Sequence, residues 1–158
     1  MLVVADASPL RYLVALEKAD LLPALFGRVW VPNRVINEVT SPRTPAKVRH
    51  YFALPPEWVV VRAPSPSATK SVQAAMDAGE RESLALALEI KAGLVLADDG
   101  QARRAAQALH LDVTGTLGVL QRAAARGLVD IPSVIASIRG SGFYASETLL
   151  RSTFADWL

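Results

Sequence analysis

Short, unbroken apolar runs recur along this chain, and each is followed by a stretch with helical periodicity. The runs are residues 2–5, 29–31, 58–61 and 94–97, with a shorter fifth near Asp112-Val113. An apolar run this short, with no polar alternation, reads as a strand buried on both faces. Ser8-Pro9 reads as a helix start, with Ser8 as N-cap and Pro9 as the first helical residue. Leu10, Leu13 and Val14 then supply the apolar face. Gly27 ends a short second helix, and Pro32 opens another that carries Val35, Ile36 and Val39 inward. Pro42, Pro45, Pro55 and Pro56 bracket a short helix over 45–53, and a loop at 63–67 precedes a helix of alanine and polar residues. The helix after Gly79 begins Glu80-Arg81-Glu82-Ser83 and is then apolar nearly all round, as a buried helix is; Gly93 ends it. An Ala/Arg helix and a helix over 117–126, stopped by Gly127, follow the fourth and fifth runs. Two closing helices are separated by Gly140-Ser141-Gly142.

Strands alternating with helices predict an α/β fold: a parallel sheet with helices on both faces and right-handed crossovers. At 158 residues with 51% hydrophobic content, the expectation is one domain spanning 1–158. The absence of cysteine excludes a disulfide framework, a thiolate metal site and a cysteine nucleophile. The net charge of +2 permits an RNA partner without demanding one. The opening MLVVADASPL has neither a basic segment nor a long apolar one, and no run approaches the ~20 apolar residues of a membrane helix. A soluble cytoplasmic protein is expected.

The acids fall where the runs end. Asp6 closes the first, and Asp98 and Asp99 close the fourth. Ligands of open parallel sheets bind beyond the carboxyl ends of the strands, where the strand order reverses. If the first and fourth strands are neighbours there, these three acids share one crevice. Glu80 and Glu82 open the helix before the fourth strand, and Glu38 ends the helix after the second. Clustered carboxylates repel one another unless a cation neutralises them, and all-oxygen ligands suit Mg²⁺ or Mn²⁺. Two such ions form the clamp that nucleases use for in-line phosphoryl displacement. Each acid also has an ordinary explanation: aspartates cap helices, and first-turn glutamates are favoured by the helix dipole. Ser8 is the better-placed cap of the first helix, which leaves Asp6 unexplained by capping. Glu80 and Glu82 lie about 200° apart around a helix, so both cannot point into one pocket. His50 and His110 are isolated from each other and from any metal-ligand spacing.

Five segments together resemble the PIN-domain superfamily, within it the prokaryotic DUF3368 branch. They are Asp6-Ala7-Ser8-Pro9-Leu10, Val31-Pro32 with Val35-Ile36-Asn37-Glu38-Val39, Gly79-Glu80-Arg81-Glu82-Ser83-Leu84, Leu96-Ala97-Asp98-Asp99-Gly100 with Ala102-Arg103, and Val113-Thr114-Gly115-Thr116-Leu117-Gly118. The resemblance implies a three-layer α/β/α fold with a five-stranded parallel sheet of order 3-2-1-4-5. It implies Mg²⁺- or Mn²⁺-dependent RNA cleavage, often by a VapC-like toxin that a cognate antitoxin neutralises and that forms a homodimer. By position, it makes Asp6, Glu38, Glu82 and Asp99 the catalytic acids, and Asp6, Glu82, Asp98 and Asp99 the metal ligands, with Ser8 and Glu80 in support. Departures from the branch are Arg11 in place of an apolar residue, Ala97 in place of Thr or Ser, and Gly100 where a basic residue is common. Arg11, Arg103 and Arg104 are candidate RNA contacts, and Arg43, Lys47 and Arg49 could line one wall of a cleft; a solvated polar face is the alternative. Trp30, Trp58 and Trp157 read as core or interface aromatics. Against the metal-dependent endoribonuclease stands a non-cleaving fold that binds RNA or a protein. A phosphoacceptor receiver domain ranks behind both, because it needs paired acids at the first strand's end, where this chain has Asp6 alone.

Overall fold

The apolar runs form strands because they are buried from both sides. The structure, a computed structural model, describes residues 1–141, 143 and 145–158. Its strands are β1 (Val3–Ala5), β2 (Val29–Val31), β3 (Val59–Val61), β4 (Leu94–Leu96) and β5 (Val113–Thr114). They pair in parallel throughout, in the order β3-β2-β1-β4-β5. The reversal of strand order therefore lies between β1 and β4, with Val3, Val4 and Ala5 opposite Leu94, Val95 and Leu96. The expected α/β fold and strand order are both present.

Successive strand residues point to opposite faces, and the core divides accordingly. Val3, Ala5, Leu94 and Leu96 enter one cluster, whereas Val4, Val95 and Ala97 enter the other. The first cluster is covered by α1 (Ala7–Ala15), α2 (Leu21–Phe26), α3 (Asn33–Val39), α4 (Ala46–Ala53), α8 (Thr116–Ala125), α9 (Ile131–Arg139) and α10 (Glu147–Thr153). The second is covered by α6 (Ala78–Glu89) and α7 (Gly100–Ala108), beside the short α5 (Pro66–Lys70). Leu84, Ala85, Leu86 and Ala87 of α6 are all at most 1% exposed, which is why that helix shows no polar face after its first turn. Trp58 and Trp157 pack on the first cluster and Trp30 on the second, as expected of structural aromatics.

Expected boundaries move at α1 and α6. The first helix starts at Ala7, so Asp6, not Ser8, occupies the N-cap position, and Ser8 lies inside the first turn. Pro9 is still accommodated, because the first four amides of a helix have no intrahelical acceptor. Gly93 does not end α6; the helix stops at Glu89 and the chain turns through Lys91 at φ +54°. Gly93 instead donates its amide to Leu2 O (2.8 Å) as the chain enters the sheet. Gly27 and Gly127 end α2 and α8 as expected, at φ +73° and +69°. Gly142, read as part of the final interhelical break, lies outside the described residues.

Candidate active site

Asp6 sits at the reversal point of the sheet. Its amide donates to Leu96 O (2.9 Å), which carries the β1–β4 ladder one residue past the strand end. The residue is only 5% exposed, and although it holds the N-cap position its carboxylate accepts no capping hydrogen bond. The Ser83 hydroxyl lies 3.5 Å from Asp6 Oδ1 but 2.8 Å from Gly79 O. A hydroxyl has one proton, and the shorter contact claims most of it. Burial therefore pushes the Asp6 carboxyl up to about 6, and Asp77 and Asp98 push the same way; the Ala7 amide and Ser83 oppose them.

Three more acids face it from α3 and the start of α6. Glu38 leaves α3 half-buried and lies against Gly79; a Cβ at residue 79 would collide with Glu38 Oε1. Glycine at 79 is thus required for close approach of α6 to α3. Burial raises the Glu38 carboxyl, helped by Asp77 and Asp6 and opposed by Arg11 and Arg34. Asp77 caps α6, its Oδ1 accepting from the amides of Gly79 (3.0 Å) and Glu80 (3.4 Å). Sequence reasoning missed Asp77 because it started this helix at Glu80, after Gly79. The signal was there: Asp77 stands three residues before Glu80, the spacing of a capping box. Glu80 is pushed up to about 7 by burial first, then by Asp99, Asp6, Asp77 and Glu38.

The structure brings Glu80, and not Glu82, to the other acids. Glu82 projects from another side of α6 and forms a 2.6 Å ion pair with Arg34 Nε. The resemblance made Glu82 the third acid and Glu80 its support; in the fold their surroundings are exchanged, because two residues span more than half a helical turn.

Asp98 and Asp99 differ in what holds them. Asp98 accepts the Thr116 amide at Oδ1 and the Thr116 hydroxyl at Oδ2, both at 2.7 Å. A Cβ on Gly115 would lie 2.6 Å from Asp98 Oδ1. Gly115-Thr116, the centre of the fifth motif, is therefore a clamp on Asp98, and it supplies the support that Ala97 cannot. Burial raises the Asp98 carboxyl, while Thr116, Arg103 and Arg11 hold it down. Asp99 is exposed and caps α7 through the Ala102 amide (3.1 Å), while its charge is the largest of those acting on Glu80.

Arginines stand at the rim. Arg11 Nη2 lies 3.4 Å from Ser8 Oγ, and its charge reaches both Glu38 and Asp98. On one side of the acids, a cleft of about 590 Å³ is lined by Ser8, Tyr12, Asp98, Asp99, Arg103 and Gln121, among others. Arg104 folds over Gly100, where a Cβ would lie 3.1 Å from its Nη1. On the other side, a groove of about 570 Å³ is lined by Arg11, Arg34, Asn37, Glu38 and Arg43. Lys47 pairs with Glu17 beside a third hollow remote from the acids, where His50 also lies.

Among the described residues, no three acids are arranged to hold an ion between them. The donor set nevertheless fits a hard divalent cation. It is all oxygen, and both the Asp6 and the Glu80 carboxyls are raised by neighbouring acids as well as by burial. Mg²⁺ keeps several waters and is commonly held by one or two carboxylates plus substrate phosphates, so an open set is compatible with it.

The site is thus a set of acids gathered at the reversal point of a parallel sheet in an α/β domain, with arginines around them. The chain belongs to the PIN-domain family: the DUF3368 family model, described as a PIN domain, matches residues 2–157. PIN domains are generally nucleases. No curated protein matches the chain.

Proposed function

We propose that this protein is a Mg²⁺- or Mn²⁺-dependent endoribonuclease. The observation that carries the reading is the pair Asp6 and Glu80 at the reversal point of the sheet, raised to about 6 and about 7 by burial and by the acids around them. A protein that keeps such repulsion at one point is poised for an external positive charge. Asp6, Glu80 and Asp99 would hold the cation, with Glu38 and Asp98 completing the acidic ring. Bound there, a divalent cation supplies an activated water and neutralises charge on the phosphate. The chain's own contribution is placement. Thr116 orients Asp98, Asp77 aligns the first turn of α6 that presents Glu80, and Gly79 lets Glu38 approach. Glu82 is reassigned from the acid set to the positioning of Arg34.

The finer biological reading is a VapC-like toxin, neutralised by an antitoxin and homodimeric; it rests on the family resemblance. No helix among the described residues is long and apolar enough to cross a membrane, which agrees with a cytoplasmic role. One observation favours a second reading, the non-cleaving binder: among the described residues, no three acids stand ready around a common point. Purified protein incubated with several single-stranded RNAs separates the two. Cleavage with Mn²⁺ or Mg²⁺, abolished by EDTA and by Asp6→Asn or Glu80→Gln, is expected. Wild type that binds RNA but stays inert with both metals would establish the binder instead.

A further inference from the structure

The groove on the α3 side of the acids has a feature that the acid ring does not use. Arg34, on α3, and Glu82, on α6, meet through a single atom of the guanidinium, Nε, at 2.6 Å from Glu82 Oε2. The guanidinium has five N–H donors in a fixed fork. Nε carries one of them, and the two Nη groups have no hydrogen-bond partner among the described residues. Arg34 is therefore oriented but not consumed. Its side chain is 57% exposed, whereas that of Glu82 is 19% exposed, so the anchor lies inward and the fork outward. The fork opens on the groove that Arg34 lines with Arg11, Asn37, Glu38 and Arg43. Glu38 itself lines this groove beside Arg11 and Arg34, so the groove runs up to the acid ring. Even with Glu82 set against Arg34, three arginines meet two carboxylates, which makes the groove the cationic approach to an acidic centre. The opposite cleft, by contrast, sets Arg103 against Asp98 and Asp99.

We propose that this groove is a phosphate subsite for the RNA strand on one side of the scissile bond, and that Arg34, held by Glu82 through Nε, offers its two Nη groups to a phosphodiester there. The proposal rests on the nuclease reading and deepens it. Guanidinium forks match two phosphate oxygens at once, and a fork already locked by a partner loses less freedom on binding. The Arg34–Glu82 pair thus explains why an acid at residue 82 lies in the site region without joining the other carboxylates. Glu82 is a positioning residue, and Arg34 is the contact.

The test uses the Asp6→Asn protein, which should bind without cutting, and a labelled single-stranded RNA oligonucleotide. Arg34→Ala in that background should weaken binding about 10- to 100-fold and reduce the salt dependence of log Kd by about one phosphate's worth. Arg34→Lys keeps the charge and should recover only part of the loss, because an ammonium cannot fork. Glu82→Ala should weaken RNA binding about 3- to 10-fold and leave Mn²⁺ affinity in an otherwise wild-type protein unchanged. Arg34→Ala in the active enzyme should raise KM more than it lowers kcat. Circular dichroism melts identify any variant that fails to fold; Arg34→Gln, which keeps the length of the side chain, then replaces it. RNA binding by Arg34→Ala equal to its parent overturns the subsite while wild-type cleavage keeps the nuclease reading intact. A Mn²⁺ affinity that collapses in Glu82→Ala would return Glu82 to the metal site and overturn the positioning role. Wild type that neither cuts nor binds RNA would overturn the nuclease reading and the subsite together.

Discussion

Asp6→Asn should make the metal-free protein more stable at neutral pH. The folded protein holds the Asp6 proton up to about pH 6, against 3.8 for an unperturbed aspartate. Between those values folding takes up a proton, so the contribution of this group to stability falls as pH rises, and above about pH 6 the whole penalty is present. At ~1.4 kcal/mol for each pH unit between the two, keeping the buried carboxylate ionised costs up to about 3 kcal/mol. Asparagine removes the charge and keeps an oxygen that can accept from the Ala7 amide. For a chain of this length, the gain corresponds to a rise in Tm of roughly 6–10 °C. The assay is a set of thermal melts of both proteins in EDTA from pH 4 to pH 8. The two should coincide below about pH 4 and separate above about pH 6. Excess Mn²⁺ should then reverse the order. A ligand bound only by the native state at 1,000 times its Kd adds about 4.1 kcal/mol, more than the penalty of about 3 kcal/mol, and wild type should gain this while Asp6→Asn should not. An Asp6→Asn protein that melts below wild type at pH 7 in EDTA would refute the desolvation argument. Failure of Mn²⁺ to stabilise wild type would refute the cation.

Two more expectations concern the same ring. Mn²⁺ affinity, followed by electron paramagnetic resonance, should weaken below about pH 7 as protons compete at Glu80, and more steeply below about pH 6 as Asp6 joins; a flat profile would count against these ligands. Thr116→Val removes the 2.7 Å hydroxyl contact to Asp98 from a fully buried position, so a stability loss of about 1–3 kcal/mol and a roughly tenfold fall in kcat are expected from melts and cleavage rates.

The sequence by itself determined the frame. Apolar runs too short for helices and too unbroken for a half-exposed sheet read as buried strands, their alternation with helical stretches argues for a parallel sheet covered on both faces, and such a sheet places Asp6 and Asp98 at the same end. The ordered motifs carried the family and, with it, the strand order. Local chemistry was less legible, because an aspartate that caps a helix and one that waits for a cation look alike in sequence. Ser8 was a good cap by type, yet the helix began before it. Asp77 was hidden because the start of α6 was placed two residues late, and a helix boundary is a weak signal. Only the tertiary structure decided between Glu80 and Glu82. The helix period says that the two diverge, but which one faces the acids depends on how α6 is rotated against the sheet. That rotation is set by the burial of Leu84, Ala85, Leu86 and Ala87 and by the close approach of Glu38 to Gly79. The same rotation turns Glu82 toward α3 and Arg34, a partner 48 residues away that no local pattern could name.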